Sequence, residues 1–264
     1  MTPTENSQFS KQEVSGAFDR QASYYSDERG ESPWFQAQVK IALEMLPSGQ
    51  GLILDLGCAA GAEIQPLLNR GFRVVGVDYS AEMLKFARLR YGTRDGVSLC
   101  RCDADSLPFT SASFDHVVCL GVFEYLSSYE LCMNEIHRIL RPGGLVIISV
   151  PTRYSLDRIS HKIFRLAAVP IWRGLKRIMG KRSSGQPLGR RWNLCDPRQF
   201  QKMLRDHGFS PESRAYSGFL LFPLGALWPK AEARLFHLME RFSKSNLLGW
   251  TLSQYLVSAR KEAV

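Results

Sequence analysis

The stretch best suited to chemistry is Ile53-Leu-Asp-Leu-Gly-Cys-Ala-Ala-Gly-Ala62, where an apolar run enters a turn of small residues. Gly57, Ala59 and Gly61 allow the backbone to approach a ligand closely, and a helix starting beyond them would offer N–H groups without intrahelical partners. Any tight strand-to-helix connection needs a turn of this kind, so the turn gains meaning only from its neighbours. The next apolar run, Val74-Val-Gly-Val-Asp-Tyr-Ser80, ends in Asp78. In an open parallel sheet, ligands sit at the carboxyl edge of the strands, and a carboxylate there suits the two hydroxyls of a ribose; a loop or capping role is the alternative.

The elements that must position these residues follow from the periodicity. Short β-rich runs alternate with helical patterns from Gly51 onward, which predicts a parallel sheet covered by helices. Strands are expected at Leu52–Leu56, Arg73–Asp78, Val97–Cys102, His116–Leu120 and Leu145–Val150, with helices at Glu63–Arg70, Ala81–Arg90 and Tyr129–Leu140 between them. Ser80 is placed to cap the second helix, and Pro142-Gly143-Gly144 to stop the third. Asp196-Pro197 opens a further helix that Gly208 ends. Two last strands are expected around Glu212–Tyr216 and Leu252–Ala259, with a helix near Ala231–Ser243 between them. With no internal repeat, the chain reads as a single domain over 1–264. It divides into an N-terminal helical lid (1–50), a core (51–151), a basic amphipathic insert (152–195) and a C-terminal helix and strand region (196–264) that contains an apolar insert, 218–250.

Composition bounds the rest. Of 264 residues, 45% are apolar and 11% aromatic, enough for a sizeable core and too many for a disordered or collagen-like chain. The formal charge of +9 is unevenly placed: Thr152 to Cys195 holds 11 Lys/Arg and one acid, leaving 23 basic against 24 acidic residues elsewhere. The N-terminus has no apolar signal region and no stretch reaches the roughly 18–20 residues of a membrane span, so a cytoplasmic protein is expected. The six cysteines show no C-x-x-C pair and read as reduced, mostly buried thiols. A metal site on Cys100 and Cys102 lacks a second ligand pair, so no metal is expected.

Taken together, DLGCAAG (55–61), VVGVDYS (74–80), CDADSLPF (102–109), FDHVVCLGVFEYL (114–126) and RILRPGGLVIISVP (138–151) resemble the class I S-adenosylmethionine-dependent methyltransferases in order and spacing. The match covers Phe18 to Val150 well and loosens towards the C-terminus. A nicotinamide dehydrogenase would want G-x-G-x-x-G, which Gly57-x-Ala-x-Gly61 does not supply. Ala59 stands where the family has its middle glycine. The resemblance implies an α/β fold: a doubly wound, mostly parallel, seven-stranded Rossmann-like sheet with helices on both faces. Insertions would follow strand 5 and lie between strands 6 and 7.

It also implies roles for single residues. Asp55 and the turn Gly57, Cys58, Ala59 to Gly61 would hold the methionine part of S-adenosyl-L-methionine. Asp78 would bind the ribose and Tyr79 pack on the adenine. Asp103, with the Ala104 backbone beside it, would accept from the adenine amine, and the Leu120 carbonyl would face the methionine amine. Phe18-Asp19-x-x-Ala22-x-x-Tyr25 looks like a lid element that brings Tyr25 near the sulfonium; a core aromatic is the alternative for Tyr25. Methyl transfer needs alignment, exclusion of water and removal of one proton. Glu124 and Tyr125 are the catalytic candidates, because they follow the fourth strand where quinone-pathway O-methyltransferases carry a Glu-His pair. Tyr125 in place of that histidine puts a copied base role in doubt. Of the histidines, 116, 137 and 207 have structural explanations, while 161 and 237 fall in the inserts.

The inserts are expected to choose the acceptor. Between Ser155 and Arg182, apolar residues recur at helical spacing beside a basic stripe, with Trp172 at its edge, as an interfacial membrane helix requires. The ubiquinone O-methyltransferases hold a membrane-binding insert at the same position. Phe219–Trp228 could join it as an apolar cover. A small-molecule, hydrophobic or lipid-like acceptor, O-methylated at an anionic membrane surface that 155–182 contacts, is therefore favoured. A soluble anionic acceptor is the alternative. Nucleic acid is disfavoured, as the run lacks an RNA module and the chain lacks an Asn/Asp-Pro-Pro-aromatic motif. A fold that binds the cofactor without catalysing stays open. Acceptor atom and oligomeric state are not specified.

Overall fold

The computed structural model describes residues 10–153, 155, 156, 158–160, 193–218, 243, 244 and 252–263, and within helix 11–31 it describes the side chains only up to residue 23. Seven strands form one sheet, β1 (Gly51–Leu56), β2 (Phe72–Asp78), β3 (Val97–Arg101), β4 (Phe114–Cys119), β5 (Leu140–Pro151), β6 (Phe209–Ser217) and β7 (Gln254–Lys261), in the order β3-β2-β1-β4-β5-β7-β6. All pairs from β3 to β5 are parallel, while β7 runs antiparallel to both β5 and β6. The order reverses between β1 and β4, which opens a crevice at the carboxyl ends of those strands. The expected doubly wound, mostly parallel sheet is what forms.

The helices are α1 (Lys11–Glu31), α2 (Pro33–Met45), α3 (Ile64–Asn69), α4 (Ala81–Tyr91), α5 (Tyr129–Ile139) and α6 (Pro197–Asp206). α5 shows why the sequence folds this way. Tyr129, Cys132, Met133, Ile136 and Ile139 recur at helical spacing and are all buried, while Ser128 caps the first turn through Leu131 N. Ser80 Oγ accepts from Met83 N at 3.1 Å at the start of α4, as expected, and Asp196 caps α6 through Arg198 N and Gln199 N. One core cluster lies on the α5 and α6 face of the sheet, with Phe123, Phe200 and Phe209 in it, and a second lies beneath α2 and α3 around Ile41, Ile64 and Phe72.

Several boundaries differ from the sequence reading. Pro142-Gly143-Gly144 does not stop α5: the helix ends at Ile139, and the Pro-Gly-Gly lies inside β5. Leu140 already pairs with Phe114, and the ladder shifts register before His116, so Gly143 at φ 74° absorbs an irregularity rather than a helix end. β6 begins at Phe209 instead of Glu212, directly after Gly208, because its pairing with β7 runs from Phe209 to Ser217. β7 is displaced towards the C-terminus, Gln254–Lys261. The helix expected near 231–243 and most of the 155–182 and 218–250 inserts lie outside the described residues.

Candidate active site

The crevice between β1 and β4 holds a pocket of about 1080 Å³ including its open mouth. Its walls come from the β1 turn (Leu56 to Ala60, Ala62, Glu63), the end of β2 (Val77 to Ser80), Cys102 to Ala104 after β3, and Leu120 to Val122, Tyr125 and Leu126 after β4. Lys11, Val14, Ser15 and Phe18 of α1 also line it.

The β1 turn is shaped by contact with the β4 loop. Gly57 adopts φ 79°, and a Cβ on it would lie 2.1 Å from Val122 Cγ2, so neither the conformation nor the space admits a side chain. Gly57 N and Cys58 N both donate to Val77 O, at 2.8 and 2.9 Å. Ala59 stands at φ 46°, a left-handed conformation that glycine adopts without penalty, and its N–H donates to Asp78 Oδ2 at 2.9 Å. Asp78 Oδ1 accepts from Ser80 N at 2.8 Å. Asp78 therefore ties the first turn to the second strand while lining the pocket, and each of its oxygens retains a second acceptor direction for a hydroxyl. Burial holds its carboxyl above the usual range despite the bonds from Ser80 and Ala59.

Asp103 is met from two sides. Its Oδ1 accepts from Asp105 N at 3.0 Å, and its Oδ2 receives Lys11 Nζ at 2.6 Å, which also pairs with Asp105 at 2.6 Å. Lys11 lies 92 residues away in sequence and was not foreseen; it latches α1 to the rim. A second latch joins Asp19 of α1 to Ser80 Oγ. Tyr79 is 37% exposed, with the Arg101 guanidinium 5.7 Å over its ring, leaving a face towards the pocket it lines.

The other expected residues separate into two groups. Gly57, Cys58, Ala59, Ala104, Leu120 and Tyr125 all line the pocket, Tyr125 packed edge-on against Phe18 with ring centres 5.1 Å apart. Gly61 (φ 84°) packs against Tyr91 and Ile64 at the back of the turn. Asp55 is only 1% exposed and lies beneath the lining rather than in it. Burial, then the charges of Glu63 and Asp78, push its carboxyl well up. Glu63, which sequence reasoning passed over as a helix start, reaches the pocket instead. Glu124, 8% exposed in the short 3-10 turn Phe123–Tyr125, also stays behind the lining, and its carbonyl receives Asn193 N at 3.3 Å. Tyr25 lies on α1, but its side chain is outside the described residues.

These features fit an adenosyl cofactor with a cationic amino-acid tail. Glu63 lines the space beside the β1 turn, Asp55 Oδ2 is buried with no hydrogen-bond partner among the described residues, and two further carboxylates, Asp78 and Asp103, border the space. Among the described residues no group of three or more His, Cys, Asp or Glu could hold a metal ion.

Comparison with known proteins agrees. Residues 54–148 match the family described as Methyltransferase domain. The demethylmenaquinone methyltransferase of Thermus thermophilus is 36% identical over 122 residues, 45% of this chain and 54% of that one. A probable tRNA methyltransferase 9B of Bos taurus is 31% identical over 146 residues, 54% of this chain and 30% of that one. The chain thus spans from under a third to about half the length of these relatives. Among solved structures, the putative methyltransferase in complex with the Haloferax volcanii Trm112 activator superposes with a TM-score of 0.67 at 22% identity, covering 95% of this chain and 98% of that one, which shows a shared fold. The sheet order, the β1 turn and the match at 54–148 together support a class I S-adenosylmethionine-dependent methyltransferase domain in the core of this chain.

Proposed function

We propose that this chain transfers a methyl group from S-adenosylmethionine to a small hydrophobic or lipid-like acceptor, with oxygen the favoured atom, at an anionic membrane surface. When bound, the cofactor supplies an electrophilic methyl on a sulfonium. The chain's own residues then bind, orient and dry the site. Asp78 takes the ribose hydroxyls, Tyr79 covers the base, and Asp103 accepts from the base amine, for which it must share or yield its lysine partner. The β1 turn and Leu120 hold the amino-acid end. Phe18 and Tyr125 form an aromatic wall that excludes water. Glu124 is the candidate for accepting the acceptor's proton. Its burial behind the wall means that it would act only after Tyr125 moves or through a relayed proton.

The observation that carries the acceptor reading is that both inserts are rooted together at the edge beside the pocket. Thr152 N donates to Ser253 O at 3.0 Å, Thr152 Oγ1 to Leu252 O at 2.9 Å, and Cys195 N to Pro151 O at 2.9 Å. Asn193, where the basic insert returns, donates through Nδ2 to Leu126 O at 2.8 Å, next to pocket-lining Tyr125. Leu156 at the start of that insert packs with Trp34, Ala37, Tyr216 and Leu252. An insert carrying the excess positive charge and an apolar insert therefore leave the body side by side, which supports a greasy, cationic cover over the acceptor. The lipid-like quinone named for the Thermus relative points the same way. No described helix is long and apolar enough to cross a membrane.

Two specific findings favour a second reading, a tRNA acceptor with a partner subunit: the name of the bovine relative and the activator complex of the solved neighbour. One experiment separates them. Methyl transfer from labelled cofactor is followed into a lipid extract and into total tRNA, beside sedimentation with anionic vesicles. Label in lipid and vesicle binding lost on deleting 155–182 support the first reading. Label in tRNA, or vesicle binding unchanged by the deletion, overturns it.

A further inference from the structure

Residues 102–113 join β3 to β4, and the first of them border the pocket. Asp103 pairs with Ser106 in an isolated bridge, and Ser106 N donates to Asp103 O at 3.1 Å, so the turn is closed on itself. Past it, the irregular run Leu107-Pro108-Phe109 has peptide groups that need partners. Glu135 and Arg138, three residues apart on α5 and outside the pocket lining, supply them. Leu107 N donates to Glu135 Oε2 at 2.6 Å, while Arg138 donates from Nη2 to Leu107 O at 2.9 Å and from Nη1 to Phe109 O at 2.5 Å. The two side chains also bind each other, Nε to Oε1 at 2.8 Å and Nη2 to Oε2 at 2.7 Å. Both carboxylate oxygens and all three guanidinium nitrogens are thus in use, which a planar fork allows and a lysine does not.

An ion pair with side chains 34% and 19% exposed contributes little to stability by itself. What sets this one apart is that three of its bonds go to loop backbone. The buried stripe Cys132, Met133, Ile136 and Ile139 seats α5 on the sheet, and Leu107, 4% exposed, packs into the same cluster, so the clamp has a rigid base. Only residues 104–106 separate the clamped Leu107 from Asp103. We propose, resting on the cofactor reading above, that Glu135 and Arg138 are positioning residues for the base end of the site: by fixing Leu107 and Phe109 they hold the Asp103 carboxylate where it selects a 6-aminopurine over a 6-oxopurine. A 6-amino group donates to a carboxylate, whereas a 6-oxo group sets an acceptor against it, and the penalty lasts only while the carboxylate cannot turn away. Lys11 meets the same carboxylate at 2.6 Å, but as a point charge on a flexible stem it balances the charge without fixing its direction. The hydrogen bond from Arg138 holds the Glu135 carboxyl below its usual range, so the clamp stays charged at neutral pH.

The test is equilibrium binding of S-adenosylhomocysteine and S-inosylhomocysteine to the full chain; the second carries a 6-oxo group and an N1 proton in place of the 6-amine. The wild type should prefer the adenosyl ligand by about 10- to 100-fold. Arg138→Met should cut that preference by about fivefold or more, through weaker adenosyl binding, and leave the inosyl ligand within about twofold. Arg138→Lys keeps the charge and loses the fork; it should cut the preference by about twofold or more, and it carries the test if Arg138→Met does not fold by far-UV circular dichroism. In an Asp103→Ala background, Arg138→Met should change neither affinity by more than about twofold, because the two act through one carboxylate. Arg141→Met, which breaks the partly exposed pair with Asp115, should leave the preference unchanged. Equal weakening of both ligands by Arg138→Met, an unchanged preference, or the same loss with Arg141→Met overturns the proposal and leaves the cofactor reading standing. Failure of the wild type to bind S-adenosylhomocysteine overturns both.

Discussion

Substituting Gly57 by Ala tests whether the β1 turn is fixed by contact with the β4 loop, and its cost can be worked in two parts. The first is conformational: Gly57 sits at φ 79°, and holding an L-residue in the left-handed region costs roughly 1–2 kcal/mol. The second is steric: the added Cβ would lie 2.1 Å from Val122 Cγ2, an overlap relieved only by shifting Val122 or the turn, at about 1–3 kcal/mol for an overpacked site. Together they remove about 2–5 kcal/mol, a large part of the ~5–15 kcal/mol that holds an ordinary domain. Val122→Ala deletes the atom that is struck and by itself costs about 1 kcal/mol. In a double-mutant cycle read by urea unfolding with circular dichroism, the coupling should recover the steric part, about 1–3 kcal/mol, and leave the conformational part in place. A Gly57→Ala protein within 0.5 kcal/mol of wild type on the order-of-magnitude scale of surface substitutions, or a cycle with no coupling, would refute the claim that the two loops are packed against each other at this point.

Other outcomes follow from the same geometry. Ala59→Gly relieves the φ 46° strain and should stabilise the protein by up to about 1 kcal/mol in the same unfolding assay; destabilisation would mean that the turn is not left-handed at this residue. Asp78→Ala removes the acceptor for Ala59 N and Ser80 N, so it should lower stability by about 1–3 kcal/mol and abolish measurable cofactor binding, while Asp78→Asn should keep part of the stability and little of the binding. Lys11→Met frees Asp103 and removes one of the two latches on α1, and should speed cofactor release in stopped-flow fluorescence by several fold; an unchanged release rate would show that the Lys11 latch does not gate the pocket. Because Asp55 and Asp78 have raised carboxyls in the fold, the folded chain holds protons that the unfolded chain gives up near the ordinary 3.8, so their stabilising contribution should fall as pH rises above that value. Asp115 beside Arg141 and Glu135 beside Arg138 are lowered and act in the opposite sense at acid pH, with small weight because those pairs are partly exposed.

What could be read in the sequence was whatever depends on near neighbours. Asp78 ends a strand by pattern, Ser80 precedes a helix with the right cap chemistry, and the small turn after Leu56 announces itself through its composition. What could not be read came from pairing across the chain. Lys11 reaches Asp103 only because α1 folds back over the β3 rim, and no spacing signals a contact across 92 residues. Pro142-Gly143-Gly144 carries every local mark of a helix stop, but Leu140 is already committed to Phe114 of β4, and the tertiary ladder overrides the local signal. Asp55 and Glu63 exchanged expected positions for a related reason: the strand buries the family's acidic residue beneath the turn, while the residue two beyond Gly61 comes round to the pocket. A carboxylate shortly after the second glycine was the available clue, and it reads equally as a helix start.

The distribution of charge then takes on a physical meaning that its sum conceals. The cofactor pocket is bordered by Glu63, Asp78 and Asp103 over a buried Asp55, with one lysine committed to the rim, so its field favours a cation. Residues 152–195 carry 11 basic residues against one acid, and the two ends of that run are anchored at the end of β5, Thr152 through Ser253 O and Cys195 through Pro151 O. On the function proposed above, fields of opposite sign act on different molecules: the inner one, of the pocket, on a cofactor whose methyl-bearing sulfur is positive, and that of the basic run on an acceptor or surface that is negative. Transfer of the methyl removes the sulfur's charge and leaves the inner field with less to hold, which favours release of the product over the substrate. S-adenosylmethionine should therefore lose more affinity than S-adenosylhomocysteine as salt is raised from about 50 mM to about 500 mM in equilibrium binding. Equal salt dependence of the two would mean that the pocket's acids act on the ammonium alone.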